Sequence, residues 1–192
     1  MFSAFLEDLD SYAYRLGLPR WSLVFMFILY PNTWAIAVYR FGNWIVTSFK
    51  VPVLKHMLFI VYFIFKRFTE ILTHIDISPH SKIGKGIFIG HIGGLVIAAN
   101  SVIGDNPSFH QWNTIGGAGR GPMYGVPTVG NNVYLGAGAQ IIGNVKVGND
   151  VMIGANAVVV KDVPDNAVVG GIPAKVLSYE GSMDFVHFRD NK

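Results

Sequence analysis

Aliphatic residues recur every six positions through the second half of this chain. They fall at Ile77, Ile83 and Ile89, then at Ile97, Ile103, Phe109 and Ile115. After a break they resume at Val129, Leu135, Ile141, Val147, Ile153 and Val159. A glycine follows many of them, among them Gly84, Gly90, Gly104, Gly116, Gly130, Gly136, Gly148 and Gly154. Six is neither the helical period nor the two-residue alternation of an ordinary strand, and it predicts a parallel β-helix of hexapeptides. Each hexapeptide supplies one short strand and one corner. Three close a triangular coil, so side chains eighteen residues apart are expected to stack, with coils about 4.8 Å apart. Gly104-Asp105-Asn106, Gly130-Asn131-Asn132 and Gly148-Asn149-Asp150 read as the corners, because these residue types accept tight or left-handed turns. A β-sandwich of short strands is the other all-β option, but it would not hold a strict six-residue register.

The beat is interrupted twice. Ile89 and Ile97 stand eight apart, which makes a bulge of His91-Ile92-Gly93-Gly94. Between Ile115 and Val129 about eight residues are added, and the Gly-rich stretch 117–127 reads as an extruded loop. Interruptions of a repeat are where function is expected.

The chain divides into a helical, hydrophobic region over 1–74, a β-helix over 75–177 and a C-terminal tail over 178–192 read as polar and mobile. The absence of cysteine removes disulfides and thiol nucleophiles. A net charge of +3, with no basic cluster interleaved with aromatics, gives no nucleic-acid face. Leu23–Tyr30 and Met57–Phe65 are apolar runs too short to span a bilayer, and the Pro31 step separates two helices. The aromatic-rich region either packs internally and between subunits or rests on a membrane surface through its basic flanks Lys50, Lys55, Lys66 and Arg67.

Asp76 and His91 stand fifteen residues apart, nearly one coil. A carboxylate beside an imidazole fixes its tautomer and makes a general base, although a solvated corner histidine is the plain alternative. Asp76-Ile77-Ser78-Pro79, Ile83-Gly84-Lys85-Gly86, His91 and Gly94 resemble the opening of the serine acetyltransferase family. So do Thr114-Ile115-Gly116-Gly117, Gly136-Ala137-Gly138-Ala139 and the closing Gly170-Gly171-Ile172-Pro173-Ala174-Lys175. The resemblance covers about half the chain. It implies a left-handed parallel β-helix, a homotrimer, acetyl-CoA as co-substrate without a metal, and His91 and Asp76 as the catalytic pair.

It also exposes departures. Gly90 stands where the family has a serine-binding Asp, and Gly125-Val126 stand where it has an Arg-His pair. A zwitterionic amino acid needs charged partners in a closed site. The sequence therefore points to a sugar hydroxyl as acceptor, as in the branch that O-acetylates bacterial capsule or exopolysaccharide units. Such an enzyme would be cytoplasmic, either free or peripheral at the inner face of the cytoplasmic membrane. Serine O-acetylation and amino-sugar N-acetylation are the alternatives. Trp112, Asn113, Arg120 and Tyr124 are candidate acceptor contacts, although Trp112 could equally pack at a subunit seam. Gly116, Gly117, Ala137 and Ala155 offer room for the pantetheine arm, and Lys161 and Lys175 offer charge for phosphates. A zinc hydratase using His80, His91 and His110, and a non-catalytic scaffold, are competing readings.

Overall fold

The computed structural model describes residues 1–121 and 124–186. Four helices, α1 (Phe2–Arg15), α2 (Leu23–Leu29), α3 (Pro31–Thr47) and α4 (Pro52–Thr73), precede a parallel β-helix. α3 starts at Pro31, whose fixed φ and missing N–H suit a first helical position. α4 ends where His74 turns left-handed at φ 56°, and the first strand begins at the next residue.

The prism has three faces. The first holds β1 (Ile75–Ile77), β4 (Leu95–Ile97), β7 (Thr114–Gly116), β10 (Gln140–Ile142) and β13 (Val158–Val159). The second holds β2 (Lys82–Ile83), β5 (Val102–Ile103), β8 (Thr128–Val129) and β11 (Lys146–Val147). On the third are β3 (Phe88–Ile89), β6 (Ser108–Phe109), β9 (Tyr134–Leu135), β12 (Met152–Ile153) and β14 (Val168–Gly170). β15 (Lys175–Ser178) finishes this last face antiparallel to β14.

The six-residue beat becomes three buried columns. Ile77, Ile97, Ile115, Ile141 and Val159 stack on the first face, in register strand by strand. Leu135 and Ile153 belong with Ile89, Phe109 and Val169 on the third face. The eight-residue insertion between Ile115 and Val129 thus leaves the prism at a corner and returns without disturbing any column.

Corners are held by ladders of Asx side chains. Asp105 Oδ1 accepts the N–H of Lys85, and Asn131 Oδ1 that of Asp105. Asn149 Oδ1 takes the N–H of Asn131, and Asp165 Oδ1 that of Asn149. Asn106, Asn132, Asp150 and Asn166 occupy left-handed positions at successive corners.

The helical region does more than pack. Asp8 Oδ1 accepts the N–H of Ile87 at 2.9 Å, while Ser11 donates to the Ile87 carbonyl. The Tyr12 hydroxyl both accepts from Ile89 N–H and donates to its carbonyl, and Asn32 donates to the same carbonyl. Tyr39 does likewise between Ile83 N–H and the Ser81 carbonyl. Arg40, held by Asp8 at 2.8 and 2.9 Å, donates to the carbonyls of Ile83 and Gly84. Polar side chains from α1 and α3 therefore satisfy the open backbone of the first coil, where unpaired strand groups would otherwise be exposed.

Two expectations change here. Residues 178–186 are not a free polar tail. Ser182 and Val186 are buried, Ser182 donates to the Asn132 carbonyl, and Phe185 packs 5.3 Å from the Tyr134 ring. Residues 187–192, the rest of that tail, and 122–123 of the loop lie outside the described residues. α4 packs on α3 yet leaves Met57, Ile60, Ile64, Phe68 and Ile71 more than half exposed. No single helix among the described residues is long and apolar enough to cross a membrane; α2 with its preceding turn and α3 form a pair bent by 98°.

Candidate active site

His91 lies in the bulge between β3 and β4, and its position follows from local backbone bonds. Gly93 N–H donates to the Thr73 carbonyl at 2.9 Å, which ties the bulge to the end of α4. Trp112 N–H donates to the Gly93 carbonyl at 2.8 Å, which ties it to the next coil. Gly94 adopts φ 67°, and a Cβ there would lie 2.4 Å from the Trp112 ring, so the indole rests flat on this glycine. The imidazole of His91 is exposed, with the His110 ring 5.8 Å away, centre to centre.

Asp76 and His91, expected from the sequence to act as a pair, are not joined by a hydrogen bond in the single chain. Asp76, exposed on β1 opposite Val96, gives its carboxylate to Lys66, which also binds Glu70 at 2.6 Å. The reason is local. Lys66 sits one helical turn ahead of Glu70 on α4, and the chain turns directly from α4 into β1, so the ammonium reaches Asp76 first. These two carboxylates hold the Lys66 pKa above its usual value although burial opposes them. β1 pairs with β4 just after the bulge, which sets Asp76 opposite Val96, five residues beyond His91.

Asn113 is a correction. It is fully buried; its Oδ1 accepts His110 N–H at 2.7 Å and its Nδ2 donates to the carbonyls of Gly136 and Ala139. With its amide used to close a corner, it has nothing left for an acceptor. Trp112, by contrast, is 66% exposed at a left-handed turn beside the His91 bulge. Tyr124 and Arg120 lie on the inserted loop, an antiparallel turn closed by two 3.0 Å bonds between Ala118 and Gly125. Tyr124 folds back so that a Cβ on Gly117 would lie 2.3 Å from its hydroxyl. Gly117 is therefore covered by Tyr124 rather than open to a donor.

Of the other donor candidates, Ala155, Lys161 and Lys175 are exposed and Gly116 and Ala137 half-buried. Among the described residues neither lysine forms an ion pair, which leaves both ammonium groups for phosphates. Ala137 and Ala155 lie at successive corners before β10 and β13, whereas Gly116 lies opposite Ile142 at the far end of β10. His80 lies beside Pro79 against α4, and no three His, Asp or Glu side chains gather as metal ligands among the described residues.

His110 is the group that sequence reasoning underused. Its ring lies between those of His91 and Tyr134, 5.0 Å from the latter and tilted to both, and burial, then His91, then Arg15 push its pKa below the ordinary 6.5. Arg15 itself is drawn down to about 10 by burial, its guanidinium 3.7 Å over the Phe88 ring.

The model of the bacterial transferase hexapeptide (six repeats) matches residues 127–161. A serine acetyltransferase of Synechococcus elongatus is 35% identical over 154 residues, which cover 80% of this chain and 60% of that protein. One from Mycobacterium tuberculosis is 39% identical over 110 residues, 57% of this chain and 48% of that protein. The chain thus spans about half to three-fifths of these curated relatives. A solved serine acetyltransferase from Vibrio cholerae is similar with TM-score 0.77 and 30% identity, covering 99% of this chain and 71% of that one. A serine acetyltransferase solved in complex with CoA gives TM-score 0.73 and 31% identity, covering 91% and 68%.

Proposed function

The chain belongs to the hexapeptide-repeat serine acetyltransferase family, and from that premise we propose that it moves an acetyl group from acetyl-CoA to a hydroxyl oxygen, with His91 as the general base. The observation that carries the proposal is the position of His91: an exposed imidazole on a bulge pinned to α4 on one side and to the next coil on the other. The donor supplies an acetyl thioester. His91 takes the proton of the acceptor hydroxyl as that oxygen attacks the acetyl carbonyl, and then gives the proton to the departing thiolate. Asp76 orients His91 once the carboxylate exchanges Lys66 for the imidazole. Lys161 and Lys175 hold the donor's phosphates, and Ala137, Ala155 and Gly116 border its arm. The working unit is a homotrimer, with the cleft completed by a neighbouring copy.

L-Serine is the acceptor that the relatives' names support, in preference to the polysaccharide acceptor expected from the sequence. A neutral saccharide hydroxyl stands as a second reading because of particular residues. Where the family resemblance implies a carboxylate there is Gly90, and where it implies Arg-His there are Gly125 and Val126. A Cβ on Gly125 would lie 2.3 Å from the Cβ of Asn144, so Asn144 occupies the space a long side chain would need.

The test is release of free CoA from acetyl-CoA by the full chain, with L-serine and with a panel of neutral glycosides. Acetylation of either confirms the transferase; no release with any hydroxyl acceptor overturns it. His91→Ala is expected to slow turnover by about 10²–10⁴-fold, the usual worth of a general base.

A further inference from the structure

His110 has no role in the mechanism so far, yet among the described residues its ring lies 5.8 Å from that of His91. Three observations concern its surroundings. First, Gly90 has no side chain, and a Cβ built there would lie 3.1 Å from both Cε1 and Nδ1 of His110. The ring of one coil occupies the volume that a side chain preceding His91 would fill. Second, the ring is fixed. Asn113 binds its backbone N–H at 2.7 Å, Tyr134 lies 5.0 Å away on the next coil, and Phe185 backs Tyr134 at 5.3 Å. Third, neither ring nitrogen of His110 bonds to a protein group among the described residues, so its hydrogen-bonding capacity is unspent.

We infer that His110 is an acceptor-side specificity residue: its imidazole, seated over Gly90, hydrogen-bonds the acceptor molecule and fixes which of its hydroxyls meets His91. This rests on the reading of His91 as the base that receives a hydroxyl. Among the described residues, the titratable and charged groups facing the His110 ring are His91 from the bulge, Arg15 from α1 and Tyr134 from β9. Arg15 brings a positive charge, and none of the three is a carboxylate. An ammonium group brought to His110 would therefore meet repulsion, whereas a hydroxyl or carbonyl would find a neutral ring able to accept or donate. The acceptor class this selects is one whose binding groups near His110 are uncharged or anionic.

The test uses the full chain with L-serine and methyl α-glucoside as probes. His110→Phe keeps an aromatic ring against Tyr134 and removes the hydrogen bond; it is expected to raise the acceptor KM about tenfold with kcat nearly unchanged. His110→Gln, which restores a donor and an acceptor, is expected to recover much of that loss. An acceptor KM unchanged in both variants would reduce His110 to packing and overturn the inference. A second measurement is independent of turnover: the ring resonances of His110 in labelled protein titrated with each probe. Movement of the His110 signals by the glucoside, with less movement by serine, supports the inference. Stationary signals with both probes overturn it, even where acetyl transfer succeeds. If wild-type protein transfers no acetyl group but the glucoside still shifts His110, the transferase reading falls and the binding role stands.

Discussion

The β-helix and the helical region before it are built on opposite logics. In the β-helix each side chain answers to the residue one coil away: Ile97 sits on Ile115, Asn131 bonds Asn149, and the pattern repeats. In the helices the decisive side chains answer to backbone groups far along the chain. Asp8 holds the N–H of Ile87, and Arg40 the carbonyl of Ile83. One region is stabilised by repetition and the other by a set of unrepeated polar contacts, and the candidate site lies at the joint between them. The difference teaches that the first coil, which carries His91, depends on the less regular partner.

The largest way to break the comparison is to remove Arg40. Arg40→Ala strands the Asp8 carboxylate, which burial already pushes up in pKa despite the guanidinium, and it orphans two carbonyls. A loss of about 3–5 kcal/mol in urea unfolding is expected. The double change Asp8→Leu with Arg40→Met is expected to recover part of it. Ile115→Ala, in the middle of a fully buried column, is expected to cost about 2–5 kcal/mol by the same measurement. If it costs far less, the column relaxes more than packed coils should. Asn149→Ala removes one rung of the corner ladder and leaves the Asn131 N–H partly exposed; about 1 kcal/mol is expected. Ile71→Ser on the outer side of α4, at 74% exposure, is expected to change the chain's own stability by less than about 0.5 kcal/mol. A larger effect that varies with protein concentration would show that another copy covers this side.

Acid sharpens the comparison further. The His110 pKa is depressed in the folded chain, so the unfolded chain binds more protons between the folded value and 6.5. Its contribution is present above 6.5 and is lost as pH falls through the folded value. His110→Gln is therefore expected to flatten the melting temperature against pH below about 6.5, read by calorimetry.

The β-helix was legible because its period is local and strict, so Ile77 to Val159 announce the prism and Asn131 or Asp150 its corners. The bulge at His91 was legible for the same reason: an extra pair of residues in a fixed count stands out. What the sequence hid was every contact across the joint. Nothing in the spacing of Asp8, Tyr12, Tyr39 and Arg40 says that their partners are strand backbone groups in the first coil. The Lys66–Asp76 pair was hidden likewise, because it depends on how α4 turns into β1. Asn113 looked like any exposed amide next to a tryptophan, and only the coil above it reveals two carbonyls waiting for its Nδ2. Ser182 and Phe185 looked polar and free since their sites lie on coils formed fifty residues earlier.

β15 and the 171–174 turn close one tip of the prism, and α1 with α3 close the other. A rod stoppered at both tips can change length only from its middle. The unit of change is a whole winding, about 4.8 Å of rise. Smaller gains must leave and return at one corner, as the 117–127 loop does, or they would shear the columns, whereas a duplicated winding would carry β15 further from the imidazole and leave both stoppers intact.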